Sequence, residues 1–107
     1  MKHRKDISRN IATIVDLDIM RTSTLFGLHS QVRANDPEIA EIWTEPEADE
    51  WRDLRTHPQY GPVAEWLWDM EGRSCELKYE LVGEFDGDWE ELDRLLRKEL
   101  TIRRRIG

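Results

Sequence analysis

Apolar residues recur at helical spacing along this chain, in short segments that proline and glycine separate. The pattern is strongest near the C-terminus, where Leu92, Leu95, Leu96 and Leu100 occupy positions i, i+3, i+4 and i+8. Asp88 precedes this run, and a short acidic side chain at such a position accepts hydrogen bonds from the first N–H groups of a helix. We therefore predict a helix that begins at Asp88 and a core built from helix faces.

A second helical segment lies in the middle of the chain, where Gly61 and Pro62 precede an apolar stripe. The residues of this stripe lie at i, i+3, i+4 and i+7: Val63, Trp66, Leu67 and Met70. Proline is favoured in the first turn of a helix, and glycine often ends one. The segment is therefore predicted to be a helix that ends at Gly72.

Two shorter helices are predicted ahead of this segment. Asp36 followed by Pro37 is a strong N-cap signal, and the apolar stripe behind it extends to Thr44. Residues 47–56 begin with acids, which are favourable at a helix start, and have room for one or two further turns before His57.

Two segments fit a helix and a strand equally well. Residues 11–19 and 75–82 both show strand-like alternation of apolar and polar residues, and both also place apolar residues on one helical face. If they are strands, they are the only good partners for each other. Residues 24–34, by contrast, favour a helix, with Asn35 as the expected stop.

The fold class predicted from these elements is all-α, a compact bundle of four to six short helices. The alternative is α+β, with a small two-stranded element from residues 11–19 and 75–82. Only 38% of the residues are apolar and 36% are charged, so five tryptophans must supply much of the core. We expect a single domain over residues 1–107, with flexible basic ends at 1–7 and 103–107.

Cysteine content and hydropathy indicate the cellular location. Cys75 is the only cysteine, which excludes an internal disulfide and suits a reducing compartment. No signature of a cysteine nucleophile surrounds it, so a small buried cysteine is expected. The chain contains no run of 18 apolar residues and no apolar signal-peptide core. A cytoplasmic protein that does not contact the membrane is therefore predicted.

Motifs for catalysis, cofactor binding and metal binding are not found in the sequence. The alternating acids Asp86, Asp88 and Glu90 resemble the start of a calcium loop, but Glu91 stands at the glycine position and Arg97 at the final glutamate position. Glycine-rich phosphate loops and serine elbows are also missing. We therefore expect no catalytic residues, no metal ion and no cofactor.

Charge is distributed unevenly along the chain. Net charges are +3, −9, −6 and +5 for residues 1–35, 36–71, 72–93 and 94–107. A strongly acidic centre repels nucleic acid phosphates and attracts basic surfaces. The predicted partner is therefore a larger protein with a basic surface, and nucleic acid is not expected to bind. The competing interpretation is that these acids are only the solvated faces of helices.

Tryptophans lie next to acids in several places, and the two together are typical of interaction surfaces. Core positions are expected for Trp66 and Trp89, whereas Trp68 lies off the apolar stripe of its helix. The densest acidic run is 36–50, which holds seven carboxylates and no lysine or arginine. The predicted partner-binding residues are Glu41, Trp43, Glu45, Glu47, Asp49, Glu50, Trp51 and Trp68.

These features together predict a non-catalytic, acidic protein-binding module, an adaptor or inhibitor that docks on a larger protein, such as one that handles nucleic acid. In size and charge alone the chain resembles small inhibitors that are encoded by phages and mobile elements, including DNA mimics. Two other functions stay open: a DNA-binding regulator that uses the basic termini, and an enzyme subunit or metal protein with a carboxylate site. The sequence is also compatible with a homodimer.

Overall fold

The computed structural model describes residues 4–106 of the chain, and these residues are almost entirely helical. The helices are α1 Arg4–Asn35, α2 Pro37–Ile42, a 3-10 helix Asp49–Thr56, α3 Gly61–Val82, a 3-10 turn Gly83–Phe85 and α4 Trp89–Ile106. The all-α prediction is confirmed, and no strand occurs in the described range. The α+β alternative is wrong, because residues 11–19 lie within α1 and residues 75–82 lie within α3.

Two of the helices are longer than the predicted short elements. α1 has 32 residues and continues through Gly27, and α3 has 22 residues and continues through the predicted stop at Gly72. Both glycines are exposed, and a Cβ built at either would have no atom within 4 Å. A glycine inside a helix costs about 1 kcal/mol relative to alanine. Packing of apolar side chains on both sides of each glycine outweighs that cost.

The chain divides into two compact units, each with its own apolar core. Unit 1 holds the described residues of Met1–Asp18 and Gly72–Gly107, and unit 2 is Ile19–Glu71. The prediction of one domain with flexible ends stays a prediction. Residues 1–3 and 107 lie outside the described residues, and 4–7 and 103–106 belong to α1 and α4.

The core of unit 1 forms where α1, α3 and α4 contribute apolar side chains. Its buried members are Ile11, Ile14, Leu81, Val82 and Leu92. Ile11 and Ile14 lie three residues apart on one face of α1, and Leu81 of α3 belongs to the same core. The strand-like alternation of apolar residues in these segments therefore does not correspond to a strand.

Polar contacts of unit 1 centre on two carboxylates of α1. Asp18 accepts a hydrogen bond from the Ser74 hydroxyl at 2.8 Å and forms an ion pair with Lys78 at 3.2 Å. Asp16 pairs with Arg103, which also donates to Glu99. The hydrogen bond to Asp16, and after it the bond to Glu99, raises the pKa of the Arg103 guanidinium. These contacts hold α3 and α4 against α1.

The turn into α4 matches its sequence signals. Asp86 and Gly87 adopt positive φ angles of 54° and 79°, a conformation that glycine and aspartate tolerate best. Asp88 Oδ1 then accepts a hydrogen bond from the Glu91 N–H at 3.1 Å, so the predicted cap is confirmed. The Glu91 carboxylate does not complete a capping box, since it bonds Arg94 at 2.6 Å.

The core of unit 2 is rich in aromatic residues, as the low content of other apolar residues required. Trp43, Trp51 and Tyr60 are almost fully buried there, together with Leu25, Leu28, Val32, Leu54, Ala64 and Leu67. The buried His29 ring meets the Trp43 ring edge to face at 4.8 Å, and its Nε2 donates to the Trp43 carbonyl at 3.0 Å. This contact ties α1 to the chain that follows α2.

Two features close unit 2 at the start of α3. The Tyr60 hydroxyl donates a hydrogen bond of 2.5 Å to Asp36 Oδ2, which joins the start of α3 to the start of α2. Asp36 occupies the N-cap position of α2 as predicted, but its carboxylate bonds Tyr60 and does not cap the helix. Gly61 is required by packing, since an added Cβ would lie 2.8 Å from the Arg55 carbonyl oxygen.

We expect Asp88→Ala to lower the free energy of unfolding by about 1 kcal/mol, because the Glu91 N–H loses its acceptor. Urea denaturation followed by circular dichroism measures this change. Glu76→Ala, at an exposed position of α3, is the control and should change stability by less than about 0.5 kcal/mol. Equal losses in the two variants would contradict the capping role.

Stability at alkaline pH should depend on Tyr60. Its hydrogen bond to Asp36 and its burial raise the pKa of Tyr60 above the ordinary value of 10.0, which the residue regains on unfolding. The folded state therefore holds the proton more tightly, and this contribution is complete below about pH 10 and is lost as pH rises through the folded-state pKa.

The measurement is the difference in free energy of unfolding between the wild type and Tyr60→Phe, followed from about pH 8 to about pH 11. The difference should shrink as pH rises, because phenylalanine cannot ionise. Tyr79→Phe is the matched control, since Tyr79 is 71% exposed and lacks a carboxylate partner among the described residues. A pH-independent difference for Tyr60→Phe would contradict the interpretation.

Candidate protein-interaction surface

Trp68 forms the centre of an exposed aromatic and basic cluster on unit 2. Its side chain leaves α3 about 200° around the helix from Trp66, because successive helical residues are about 100° apart. Trp68 is 40% exposed, as its position off the apolar stripe predicted. The Arg55 guanidinium lies over its ring at 4.0 Å, and the Arg52 guanidinium lies at 5.6 Å. Both distances are within the range of cation–π attraction.

Arg52 links this cluster to carboxylates on both sides. Its Nη2 donates to Glu71 Oε1 at 2.9 Å and lies 3.5 Å from Asp49 Oδ1. Its guanidinium also lies 5.8 Å from the ring of Trp51. We call Asp49, Arg52, Arg55, Trp68 and Glu71 the Trp68 cluster. Its charges are largely balanced internally, so the cluster itself attracts neither basic nor acidic partners strongly.

The acidic run that precedes the Trp68 cluster is not balanced in this way. Glu38 and Glu41 lie on α2, and Glu45 and Glu47 lie in the loop after it, and all four are exposed. None of the four carboxylates forms an ion pair or hydrogen bond with a described residue. We call these four residues the acidic surface.

The structure places the eight predicted partner-binding residues in three different environments. Glu41, Glu45 and Glu47 belong to the acidic surface, and Asp49 and Trp68 belong to the Trp68 cluster. The other three are Trp43, Trp51 and Glu50, and all of them are partly or wholly buried.

Trp43 and Trp51 are only 1% and 2% exposed, so the contact role predicted for their rings does not fit this structure. The reason is energetic: unit 2 has few other large apolar side chains, and an indole buries on the order of 200 Å². The contact role was predicted from the acids next to these tryptophans in sequence. Neighbouring residues on a chain can face opposite directions, so an exposed acid does not imply an exposed ring beside it. Glu50 is half-buried, and its Oε2 is buried without a described hydrogen-bond partner.

An exposed aromatic pair on unit 1 was missed by the sequence argument. Tyr79 of α3 and Trp89 of α4 are 71% and 44% exposed, and their rings meet edge to face at 5.0 Å. The prediction that Trp89 lies in the core is wrong, because it is the first residue of α4 and stands beyond the core that Leu92 closes. Cys75, predicted to be buried, is exposed one helical turn before Tyr79. A helical assignment of residues 75–82 would have placed Tyr79 outside the core stripe.

Trp66 lines an apolar depression on the other side of α3. Thr24, Pro62 and Val63 form the rest of its wall, and its volume is about 340 Å³. Trp66 itself is half-buried and packs against the core of unit 2, in agreement with its predicted core position. None of the four lining residues is charged, and three of them are apolar.

Three of the six basic residues of α4 form ion pairs with acids of unit 1. Arg94 pairs with Glu91, Arg97 with Asp93, and Arg103 with Asp16 and Glu99. Arg103 is thereby held at a point of α1 that lies twelve residues, or about 18 Å, from Arg4.

Among residues 4–106, no three metal-ligating side chains lie close enough together to hold a metal ion. Within the same range, every helix is too short or too polar to cross a membrane.

The chain matches no known protein family, and none of the curated proteins or solved structures compared with it is similar. The fold and site therefore define only a class, that of a small all-α protein with an unpaired acidic surface and an arginine-covered tryptophan.

We expect Arg55 and Trp68 to be coupled by about 0.5–1 kcal/mol, the usual strength of an exposed cation–π pair. A double-mutant cycle with Arg55→Ala, Trp68→Ala and the combined variant measures this energy from urea denaturation. Arg33→Ala replaces Arg55→Ala in a control cycle, since Arg33 lies in the last turn of α1 and is not among the described arginines over the Trp68 ring. Equal coupling energies in the two cycles would show that Arg55 does not cover the indole.

Proposed function

We propose that this protein is a non-catalytic binding module that docks on a basic surface of a larger protein. The observation that carries the proposal is the acidic surface, in which Glu38, Glu41, Glu45 and Glu47 are exposed and unpaired among the described residues. Several arginines that could neutralise acids are engaged elsewhere, as in Arg52 with Glu71 and Arg103 with Asp16.

Unpaired acids on one short segment create a negative potential that attracts basic partners over a range of about 8–10 Å at physiological salt. Such steering increases the rate of association more than it increases the final affinity. The acids are exposed in the free protein, so pairing them with a partner's lysine or arginine requires only modest desolvation. They are therefore suited to transient recognition.

Affinity also needs an apolar contact, and Trp68 is the exposed tryptophan nearest in sequence to the acidic surface. Tryptophan is enriched at the energetic centres of interfaces because it buries much area for few rotatable bonds. Asp49 and Glu71 at its edge would add hydrogen-bond acceptors for a basic partner.

An adaptor or an inhibitor fits these features equally. In the inhibitor case the acids would occupy a basic site that normally binds phosphate, as a DNA mimic does. The alternative of a DNA-binding regulator is less well supported, because Arg94, Arg97 and Arg103 are paired with acids of their own chain.

The test compares three immobilised baits in a lysate of the source cells: the wild type, an acid-neutral variant and a control variant. The acid-neutral variant combines Glu38→Gln, Glu41→Gln, Glu45→Gln and Glu47→Gln. The control variant combines Glu76→Gln, Glu84→Gln, Asp86→Asn and Glu90→Gln, which changes the net charge equally but lies in unit 1. Circular dichroism must first show that all three are folded.

We expect a basic protein to be retained by the wild type and by the control variant. The acid-neutral variant should retain about tenfold less of it, because the steering charge is gone. Raising the salt from about 50 mM to about 200 mM should weaken retention by the wild type. A partner retained equally by all three baits would refute the role of the acidic surface.

A further inference from the structure

The exposed ring of Trp68 is covered by a cation of its own chain. The Arg55 guanidinium lies 4.0 Å from the ring centroid, although the tryptophan is 40% exposed. Arg55 is itself exposed and forms no ion pair with a described residue. Its position over the ring is therefore not the by-product of a salt bridge to a carboxylate.

A backbone contact helps to hold Arg55 in this position. Its Nε donates a hydrogen bond of 3.0 Å to the Arg52 carbonyl, three residues earlier in the chain. Cation–π contacts at exposed sites are weak, and one of usual strength favours the covered state over the open state by only about two- to fivefold. The Arg55 guanidinium can therefore leave the ring without any unfolding of unit 2.

The contact also indicates which chemical group the Trp68 ring attracts. A planar guanidinium stacks on an indole and is more weakly hydrated than an ammonium group, so arginine is favoured over lysine at such a site. An arginine of a basic partner is therefore the group that competes with Arg55 for the ring.

A carboxylate beside Trp68 gives a partner's arginine an advantage over Arg55. Glu65 lies three residues before Trp68 on α3, which places the two side chains on one side of the helix. Glu65 is exposed and has no hydrogen-bond or ion-pair partner among the described residues. An arginine that arrives from outside can stack on the ring and pair with this carboxylate, whereas Arg55 forms no ion pair with it.

We propose that Arg55 is an autoinhibitory cover of Trp68, and that an arginine side chain of the basic partner displaces it on binding. This inference rests on the proposed function, in which the Trp68 ring contacts the partner. Only the open state offers its ring, so the covered fraction lowers the apparent affinity in proportion. Removal of the Arg55 side chain should accordingly strengthen binding by about two- to fivefold.

The test measures binding of a fluorescently labelled oligo-arginine peptide by fluorescence anisotropy at about 50 mM salt. Arg55→Ala should bind this peptide about two- to fivefold more tightly than the wild type. Arg33→Ala is the matched control, because Arg33 is also an exposed arginine of unit 2 without a described ion pair. Both variants change the net charge equally, so the smaller gain expected for Arg33→Ala measures the effect of charge alone.

A second background separates the cover from other effects of Arg55. Trp68→Leu keeps an apolar side chain at an exposed helical position but has no ring for a cation. In this background Arg55→Ala and Arg33→Ala should strengthen binding equally. An oligo-lysine peptide of the same length should gain less from Arg55→Ala than the oligo-arginine peptide does, because ammonium groups stack less well on the freed ring.

Circular dichroism establishes that each variant is folded, and Trp68→Met replaces Trp68→Leu if the latter fails this check. Equal gains for Arg55→Ala and Arg33→Ala in the wild-type background would overturn the proposal. An excess gain of Arg55→Ala that persists in the Trp68→Leu background would overturn it too, as would an oligo-arginine peptide that does not bind the wild type.

The acid-neutral variant distinguishes failure of this proposal from failure of the proposed function. It retains Arg55 and Trp68, and its capture of a basic protein from lysate does not depend on the peptide experiment. The acidic surface can therefore keep its role when the cover does not, and the two proposals can fail separately.

Discussion

The hydrogen bond between the Tyr60 hydroxyl and the Asp36 carboxylate closes the segment on which the proposed function depends. It joins the residue before α2 to the residue before α3, so the intervening chain becomes a loop with fixed ends. Within that loop Trp43 and Trp51 are buried in the core of unit 2. With the indoles directed inward, the neighbouring glutamates are left at the surface. The core and the acidic surface are thus two sides of one packing arrangement.

A small apolar content explains why aromatic residues hold this arrangement. Fixing the connection between Asp36 and Tyr60, which holds only two short helices, costs conformational entropy for each ordered residue. Two large buried rings and a charge-assisted hydrogen bond offset that cost with few residues. The remaining positions of the loop are then available for charge, and evolution could alter them without loss of the fold.

Local sequence signals predicted where helices begin and end better than they predicted which side chains are buried. The cap at Asp88, the start of α2 after Asp36 and the end of α1 at Asn35 all depend on backbone chemistry that neighbouring residues determine. Whether Trp43 and Trp89 are buried or exposed depends on which side chains from distant parts of the sequence surround them. Charge patterning correctly indicated acids at the surface, because burying an unpaired carboxylate is costly. It could not indicate which neighbouring tryptophan packs inward.

The position of Arg55 over the ring of Trp68 has a consequence for how long a complex would last. A basic partner would bring its own guanidinium to the same aromatic surface, so its arrival would exchange one cation for another. The free protein meanwhile keeps the exposed Trp68 indole covered by Arg55, which limits self-association through bare aromatic surface. Exchange of equivalent groups gains little net energy and reverses easily. Complexes built on Trp68 would therefore be short-lived, with fast turnover of partners.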